Sequence, residues 1–221
     1  MNLLVAIPSR SNVAGLEALL RQVDGIETVI YDNGHERVDG RPFIDTTARI
    51  VDARGWAFYK MWNDAWRYSK EYDYDAVALL NDDIVLHRDS LQIAFDALTG
   101  AKRLGIVGLN YERRVEEGSD PTLPLRFASG ARRNHGIGGH AFLLRSELWD
   151  VVPPIDEDYT IWYGDDELFY NVEMAGYALR VAMGAPVDHE ESTTLRNHPE
   201  LLALVDQDAQ RFRDKLLMEK R

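Results

Sequence analysis

Short apolar segments alternate with segments of helical periodicity along the first half of the chain. Residues 3–7, 76–80 and 104–109 are apolar and rich in β-forming side chains. Apolar residues recur at helical spacing over 13–20, and aromatic and apolar residues crowd one face of a predicted helix over 55–70. This alternation of strand and helix is typical of an α/β fold with a mostly parallel central sheet.

The second half of the chain departs from this alternation. Residues 110–137 are polar and have no clear predicted structure, which is more typical of a functional flap than of a simple connection, although a solvated loop is the alternative. The basic residues of this stretch are Arg126, Arg132 and Arg133. Further on, a strand is predicted at 140–144, a helix over 165–175, and an amphipathic C-terminal helix over 200–220.

Composition excludes several classes of protein. The 221 residues are 45% hydrophobic and 28% charged, and no apolar run reaches the roughly 18 residues of a membrane span, so we predict no integral membrane segment. The chain has no cysteine, which excludes disulfides and thiolate metal sites. Its net charge of -12 gives no general attraction for nucleic acid. A phosphorylated ligand would therefore need a bound cation or a local group of donors.

Polar, turn-forming residues follow three of the predicted strands. They are Pro8-Ser9-Arg10, Asp32-Asn33-Gly34 and Asn81-Asp82-Asp83. Each group taken alone is more typical of an ordinary turn. If the strands are parallel, however, all three groups lie on one edge of the sheet, where α/β proteins bind their ligands. Their convergence favours a functional site.

The turn after the third of these strands carries the clearest chemistry. Asp83 lies two residues after Asn81, so both side chains can face the same side of an extended segment. Carboxylate and amide oxygens suit a hard divalent cation such as Mg²⁺ or Mn²⁺. Such a cation would bridge the two phosphates of a nucleotide diphosphate and stabilise the negative charge that builds on a departing diphosphate.

The order and spacing of these motifs resemble those of GT-A-fold glycosyltransferases of the family-2-like type. That family has a small-Pro turn after its first strand, an Asp-Asn-Gly-type turn after its second, and a D-x-D motif after its third, where this chain has Asn81 as the first residue. The resemblance covers residues 3–192. Its second half is carried by Gly138-Gly139-His140, Ile155-Asp156-Glu157, Tyr163-Gly164-Asp165-Asp166-Glu167 and Val187-Asp188-His189.

The resemblance implies a donor site and a metal site. Asp32 would accept a hydrogen bond from the base of the sugar nucleotide, Asn81 and Asp83 would lie at the metal and the ribose, and His189 would bind the metal or contact the diphosphate. We take Asp83 and His189 as the candidate metal ligands. The candidate donor-binding residues are Pro8, Ser9, Asp32, Asn33, Asn63, Asn81 and Asp82.

The resemblance also aligns Asp165 with the family's catalytic base. An acceptor hydroxyl is a poor nucleophile, so a carboxylate must take its proton as it attacks the anomeric carbon. Asp165 lies in the first turn of a predicted helix, whose dipole favours the ionised form. Asp166 is the alternative base if the alignment slips by one residue, and a solvated helix start is the structural alternative. Gly164 stands where many relatives carry an acid.

His140, Trp162 and Asn63 each have both a functional and a structural interpretation, and Gly139 has a functional one. Gly139 lets a substrate approach the backbone, and His140 either contacts the acceptor or sugar or simply begins a strand. Trp162 either stacks on a sugar ring or packs in the core. Asn63 either reaches the nucleotide or is an exposed amide on its helix.

Together these features predict one GT-A-like domain with a C-terminal helix. We expect residues 1–109 to bind the nucleotide sugar, 110–192 to carry the acceptor and catalytic residues, and 193–221 to form the terminal helix. The predicted reaction is an inverting, metal-dependent transfer from a nucleotide-diphosphate sugar to a hydroxyl of a saccharide, a protein or a modified nucleic-acid base. The predicted location is the cytoplasm of a bacterial or phage-infected cell.

Three other functions remain open at this point. A sugar-phosphate nucleotidyltransferase needs a Gly-rich basic loop after its first strand, and residues 8–12 contain no glycine. A non-catalytic sugar- or nucleotide-binding module is favoured by Asn81 and Gly164. A transferase acting on modified DNA bases is disfavoured by the net charge, but the arginines at 126–133 leave room for it.

Overall fold

The structure of the chain is a computed structural model that describes residues 1–35, 43–111, 122–124, 137–189 and 202–218. In this part the strands are β1 Leu3–Ser9, β2 Thr28–Asp32, β3 Arg49–Asp52, β4 Ala76–Leu80, β5 Ile84–Leu86, β6 Leu104–Tyr111, β7 Thr122–Pro124, β8 Ala141–Arg145 and β9 Ala178–His189. The helices are α1 Val13–Gln22, α2 Phe58–Glu71, α3 Ser90–Gly100, α4 Gly164–Met174 and α5 Leu202–Met218, with a 3₁₀ turn over Ser146–Asp150.

The strands form one sheet in the order β3-β2-β1-β4-β8-β6-β9-β5, with β7 also paired to β9. The predicted α/β fold with a C-terminal helix is confirmed. β3, β2, β1 and β4 run parallel, whereas β8 runs antiparallel to both β4 and β6, which makes the sheet mixed. Hydrophobic periodicity does not report strand direction, and an antiparallel neighbour needs no helical crossover.

Alternate side chains of β1 enter two hydrophobic cores on opposite faces of the sheet. Leu3, Val5 and Ile7 pack in a cluster with residues of α1 and α3. Leu4 and Ala6 pack in a second cluster with residues of α2, β8 and α4. Because β1 and β4 are covered on both faces, each reads as an apolar run without polar alternation.

The predicted helices are confirmed with boundaries shifted by a few residues, but three short strands, β3, β5 and β7, were missed. β3 is a half-exposed edge strand that begins and ends with charged residues, and β5 has only three residues. The sequence predicts two short strands, over 179–181 and 186–189, where the structure has one continuous strand, β9, over Ala178–His189. Its register against β6 shifts before Pro186, and a bulge of this kind tolerates a proline within a strand.

The aromatic face of α2 lies in the core. Tyr59, Trp62 and Trp66 are almost fully buried, and Trp62 meets Phe142 of β8 edge to face with ring centroids 5.3 Å apart. At the other end of the chain, Phe212 of α5 is buried in the same cluster. Among the described helices, none combines the length and apolarity needed to cross a membrane.

Candidate functional site

The carboxyl ends of the parallel strands bring the predicted turns to one edge of the sheet. In the registered pairs, Ser9 at the end of β1 lies beside Asp32 at the end of β2, which in turn lies beside Asp52 of β3. β4 lies on the other side of β1 and ends one residue before Asn81. Three polar turns from distant parts of the sequence therefore lie side by side.

Ser9 ties the end of β1 to the turn that follows β4. Its hydroxyl donates a hydrogen bond of 2.5 Å to Oδ2 of Asp82 and lies 2.7 Å from Nε2 of His35. The amide of Asn12 donates to the main-chain oxygen of Asp82 at 2.9 Å. Burial raises the pKa of Asp82 to about 6, against the opposing effect of the hydrogen bond from Ser9. The candidate donor residues Ser9 and Asp82 therefore belong to one partly buried polar network.

His35 belongs to this network and was missed in the sequence. It is buried, it stacks on Phe43 with ring centroids 4.0 Å apart, and burial lowers its pKa. Its main-chain N–H and that of Gly34 donate to Oδ1 of Asp32 at 2.9 and 3.2 Å. A histidine directly after an Asp-Asn-Gly turn carries no sequence signal of this contact, because the partner Ser9 comes from another strand.

Asp32 and Asn33 shape the turn in which they lie. Asp32 is fully buried and accepts from the turn's own backbone, while Asn33 donates to the main-chain oxygen of Trp56 at 3.2 Å. Pro8 is buried within β1. These contacts give the residues their structural roles, and their part in binding a donor stays a prediction.

Asp83 and His189 lie together at the candidate metal position. Antiparallel pairing of β5 with β9 sets Ile84 opposite His189, which brings Nε2 of His189 within 3.1 Å of Oδ1 of the preceding Asp83. The two side chains are only 10% and 17% exposed. A carboxylate oxygen and an imidazole nitrogen in a largely dry position suit Mn²⁺ well.

His140 extends this pair towards the start of α4. Its ring stacks on that of His189 with centroids 4.4 Å apart and planes 5° apart, and Tyr111 meets both rings edge to face. The main-chain oxygen of His140 accepts from the N–H of Asn81 at 2.8 Å. The turn after β4 and the entry to β8 are thereby joined.

Gly139 brings Asp165 into the same site. A Cβ at Gly139 would lie 2.4 Å from Oδ2 of Asp165, so only glycine allows this approach. Asp165, Asp166 and Glu167 are each at most 9% exposed, which contradicts the alternative of a solvated helix start. Asp83, His189, His140, Gly139 and Asp165 therefore follow one another across a single edge of the sheet.

Glu167 has a separate role in the same helical turn. Its Oε2 accepts from the main-chain N–H of Asp156 at 3.1 Å, and its Oε1 accepts from Lys215 of α5 at 2.5 Å. Glu167 therefore anchors a loop and a helix. Of the two candidate bases, Asp165 lies against Gly139, and the choice between Asp165 and Asp166 stays a prediction.

Trp162 takes its structural alternative, whereas Asn63 is not the exposed amide of its own alternative. Trp162 is 7% exposed, so its ring packs and is not presented for stacking on a sugar. Asn63 is buried, and its amide both donates to the main-chain oxygen of Ile155 at 2.8 Å and accepts from the N–H of Ile155 at 2.9 Å. The alternative of an exposed amide is therefore wrong. The side chain holds the loop at Ile155, and its part in binding a nucleotide stays a prediction.

The arginines Arg126, Arg132 and Arg133 of the polar stretch over 110–137 lie outside the described residues.

No family model matches the chain, and no curated protein matches it by sequence. The chain does match solved structures. A mannosyltransferase from Pyrobaculum calidifontis, in complex with GDP-Man and Mn²⁺, matches with a TM-score of 0.63 and 16% identity over 87% of this chain and 57% of that one. Glucosyl-3-phosphoglycerate synthase from Mycobacterium tuberculosis, in complex with Mn²⁺, UDP and phosphoglyceric acid, matches with a TM-score of 0.59 and 16% identity over 98% and 77%. The chain thus has the GT-A-type fold of these glycosyltransferases.

Proposed function

We propose that this chain is a glycosyltransferase that moves a sugar from a nucleotide-diphosphate donor to an acceptor hydroxyl, using Mn²⁺ or Mg²⁺. The observation that carries the proposal is the continuous arrangement from Asp83 and His189 through His140 and Gly139 to Asp165. It sets a cation-binding pair next to a buried carboxylate on the ligand-binding edge of a GT-A-type fold.

The donor nucleotide is assigned to the edge formed by the turns after β1, β2 and β4. Pro8, Ser9, Asp32 and Asn33 line the side towards β2, and Asn81 and Asp82 line the side towards β4. The solved neighbours that carry GDP-Man and UDP support a donor of this class. The part-buried Ser9–Asp82 hydrogen bond links the two sides.

Asp83 and His189 are the residues assigned to the cation. Among the described residues, no group of three or more His, Asp and Glu side chains is arranged to hold a metal. Two protein ligands are nevertheless sufficient for this chemistry, because Mg²⁺-type sites often take one or two protein ligands together with substrate phosphates and water. When bound, the cation supplies positive charge to the departing diphosphate.

Asp165 is the residue assigned to proton transfer. Its carboxylate takes the proton of the acceptor hydroxyl while the hydroxyl oxygen forms a bond to the anomeric carbon. The bond from that carbon to the diphosphate oxygen breaks in the same step, and its electron pair leaves with the diphosphate. Attack opposite the leaving group inverts the anomeric configuration. The N-terminus of α4 favours the ionised form of Asp165, which is the form that accepts a proton.

The test is a thermal-shift titration with GDP, UDP and their sugar conjugates, with and without Mn²⁺, followed by an assay of donor hydrolysis. Binding to the folded state at a hundredfold excess over Kd stabilises the protein by about 2.7 kcal/mol. We expect a Mn²⁺-dependent shift with at least one nucleotide and release of nucleoside diphosphate from its sugar conjugate.

Asp83→Ala should lose both the shift and the turnover with only a modest loss of stability. Asp188→Ala is the matched control, because Asp188 is an exposed acid directly before His189. Full turnover of the wild-type protein in chelator would contradict the metal assignment. A nucleotide-dependent shift without any turnover would identify a binding module instead of an enzyme.

A further inference from the structure

Asp208 of α5 holds the loop that leads into the candidate base. Its carboxylate accepts four hydrogen-bond contacts from three consecutive main-chain N–H groups, those of Thr160, Ile161 and Trp162, at 3.1–3.2 Å. Asp208 is 1% exposed. Consecutive N–H groups that converge on one point form a concave site for an anion, and here the chain supplies that anion from a distant helix.

The same loop is held from its other side by α2. The hydroxyl of Tyr59 donates to the main-chain oxygen of Ile161 at 2.5 Å, and the Tyr59 ring lies against Gly164 so closely that a Cβ there would come within 2.5 Å of it. Between these contacts, Tyr163 has a φ of +67°, a left-handed conformation that non-glycine residues adopt rarely. The backbone just before Asp165 is therefore fixed from two sides.

Two cations of α5 continue this attachment beyond the loop. Lys215 donates to Glu167 in the first turn of α4 at 2.5 Å and lies 2.7 Å from Asp156. Arg211 donates to Asp156 at 2.8 Å. The helix α5 thus contacts the segment containing Asp165 before, beside and after the loop, although it is the last described element of the chain.

We propose that Asp208 is a positioning residue for catalysis, and that turnover requires α5 docked on the loop over 160–163. This inference rests on the proposed role of Asp165. The Asp165 carboxylate lies so close to Gly139 that a shift of the Asp165 backbone would either push the carboxylate into Gly139 or move the carboxylate away from Gly139. A displacement of about 1 Å of a reacting group can cost about a hundredfold in rate, so a carboxylate that fixes this loop acts on the rate without touching the substrate.

The experiment compares Asp208→Asn with Asp206→Asn, which alters an exposed acid on the same helix. In Asp208→Asn, half of the acceptor becomes an N–H donor that faces other N–H groups. We expect amide hydrogen exchange in the segment 160–170 to rise at least tenfold, while exchange in β4 stays unchanged. We also expect kcat to fall about a hundredfold with the donor KM within about threefold of wild type. Asp206→Asn should match the wild-type protein in every measurement.

The exchange pattern separates positioning from a general loss of folded protein. Loss of folded protein would also lower the apparent kcat at an unchanged KM, but it would not raise exchange in the segment 160–170 alone. Unchanged exchange in Asp208→Asn would overturn the proposal whatever the activity of the wild-type protein. Faster exchange with a wild-type kcat would overturn it too.

If Asp208→Asn does not fold, Asp208→Glu replaces it, and the same changes in exchange and kcat are expected. A glutamate keeps the negative charge but places the carboxylate one methylene group further from the helix backbone. A wild-type protein without turnover on any donor would contradict the proposed function, and the exchange comparison would still decide whether Asp208 holds the loop.

Discussion

His189 stacks on His140 with ring centroids 4.4 Å apart and planes 5° apart. This contact joins two parts of the site that are distant in the sequence. His189 carries the contact to Asp83 after β4, and His140 follows the glycine that meets Asp165 at the start of α4. The candidate metal ligands and the candidate base thereby lie within a few side chains of each other.

The first prediction distinguishes the two candidate bases. Asp165→Asn should lower kcat by about 10²–10⁴-fold, because a neutral amide cannot accept the acceptor's proton. The nucleotide- and Mn²⁺-dependent thermal shift should remain, since the donor residues are unchanged. Asp166→Asn is the comparison, and we expect it to retain much more of the turnover. If Asp166→Asn were inactive and Asp165→Asn active, the assignment of the base would be wrong by one residue.

The second prediction concerns the close approach at Gly139. In Gly139→Ala the new methyl group would lie 2.4 Å from Oδ2 of Asp165, so the carboxylate must move. We expect about a hundredfold loss of kcat with retained nucleotide binding. Gly100→Ala is the control, because a Cβ at Gly100 meets nothing within 4 Å. Wild-type kcat in Gly139→Ala would show that the position of Asp165 against Gly139 does not matter for turnover.

The sequence predicts the edge of the sheet much better than it predicts the contacts across it. The turns after β1, β2 and β4 are recognisable because each apolar run stops at Asn, Asp, Pro or Ser. The contact of His35 with Ser9 depends on which strands are neighbours, which no local pattern reports. The loop contacts of Asp208 are hidden for the same reason, since Asp208 lies within an ordinary amphipathic helix.

The sequence also gives a wrong expectation of exposure where a polar residue lies in the core. Asn63 lies on a helix rich in aromatic residues, and the sequence suggested either an exposed amide or a nucleotide contact. The structure buries it against the backbone of Ile155, because a peptide group in the interior needs a hydrogen-bond partner and the amide provides both a donor and an acceptor.

The third prediction is a pH dependence of the attachment of α5. Burial alone would raise the pKa of Asp156, but hydrogen bonds from Arg211 and Lys215 outweigh it and lower the pKa to about 2, below the ordinary 3.8. A lowered folded-state pKa contributes stability that is present above about pH 4 and is lost as the pH falls towards 2. The side chains are partly exposed, so we expect a contribution of about 1 kcal/mol.

This pH dependence is measured by chemical denaturation between pH 2 and 6. Asp156→Asn should be less stable than wild type at pH 6 by about 1 kcal/mol, and the difference should shrink as the pH falls. Asp158→Asn, which alters the more exposed partner of Arg211, is the control and should leave the slope in place. A difference between wild type and Asp156→Asn that stays constant over this range would refute the ion-pair explanation.

The fourth prediction is stereochemical. A single displacement with Asp165 as the base forms the new bond opposite the departing diphosphate, so the product should have the anomeric configuration opposite to that of the donor. Proton NMR of the product from an active donor and acceptor pair reads this directly from the coupling of the anomeric proton. A retained configuration would exclude the single-displacement mechanism and, with it, the role given to Asp165.

We propose that Asp83 and Asp165 serve one reaction site. The most direct measurement is a crystal structure with Mn²⁺ and a nucleoside diphosphate bound. A single shared site predicts that the cation contacts Asp83 and His189, that the base and ribose lie along the turns after β1 and β2, and that the terminal phosphate faces the cleft in which Asp165 lies against Gly139. A nucleotide bound on another face of the sheet, or a cation held without Asp83, would contradict it.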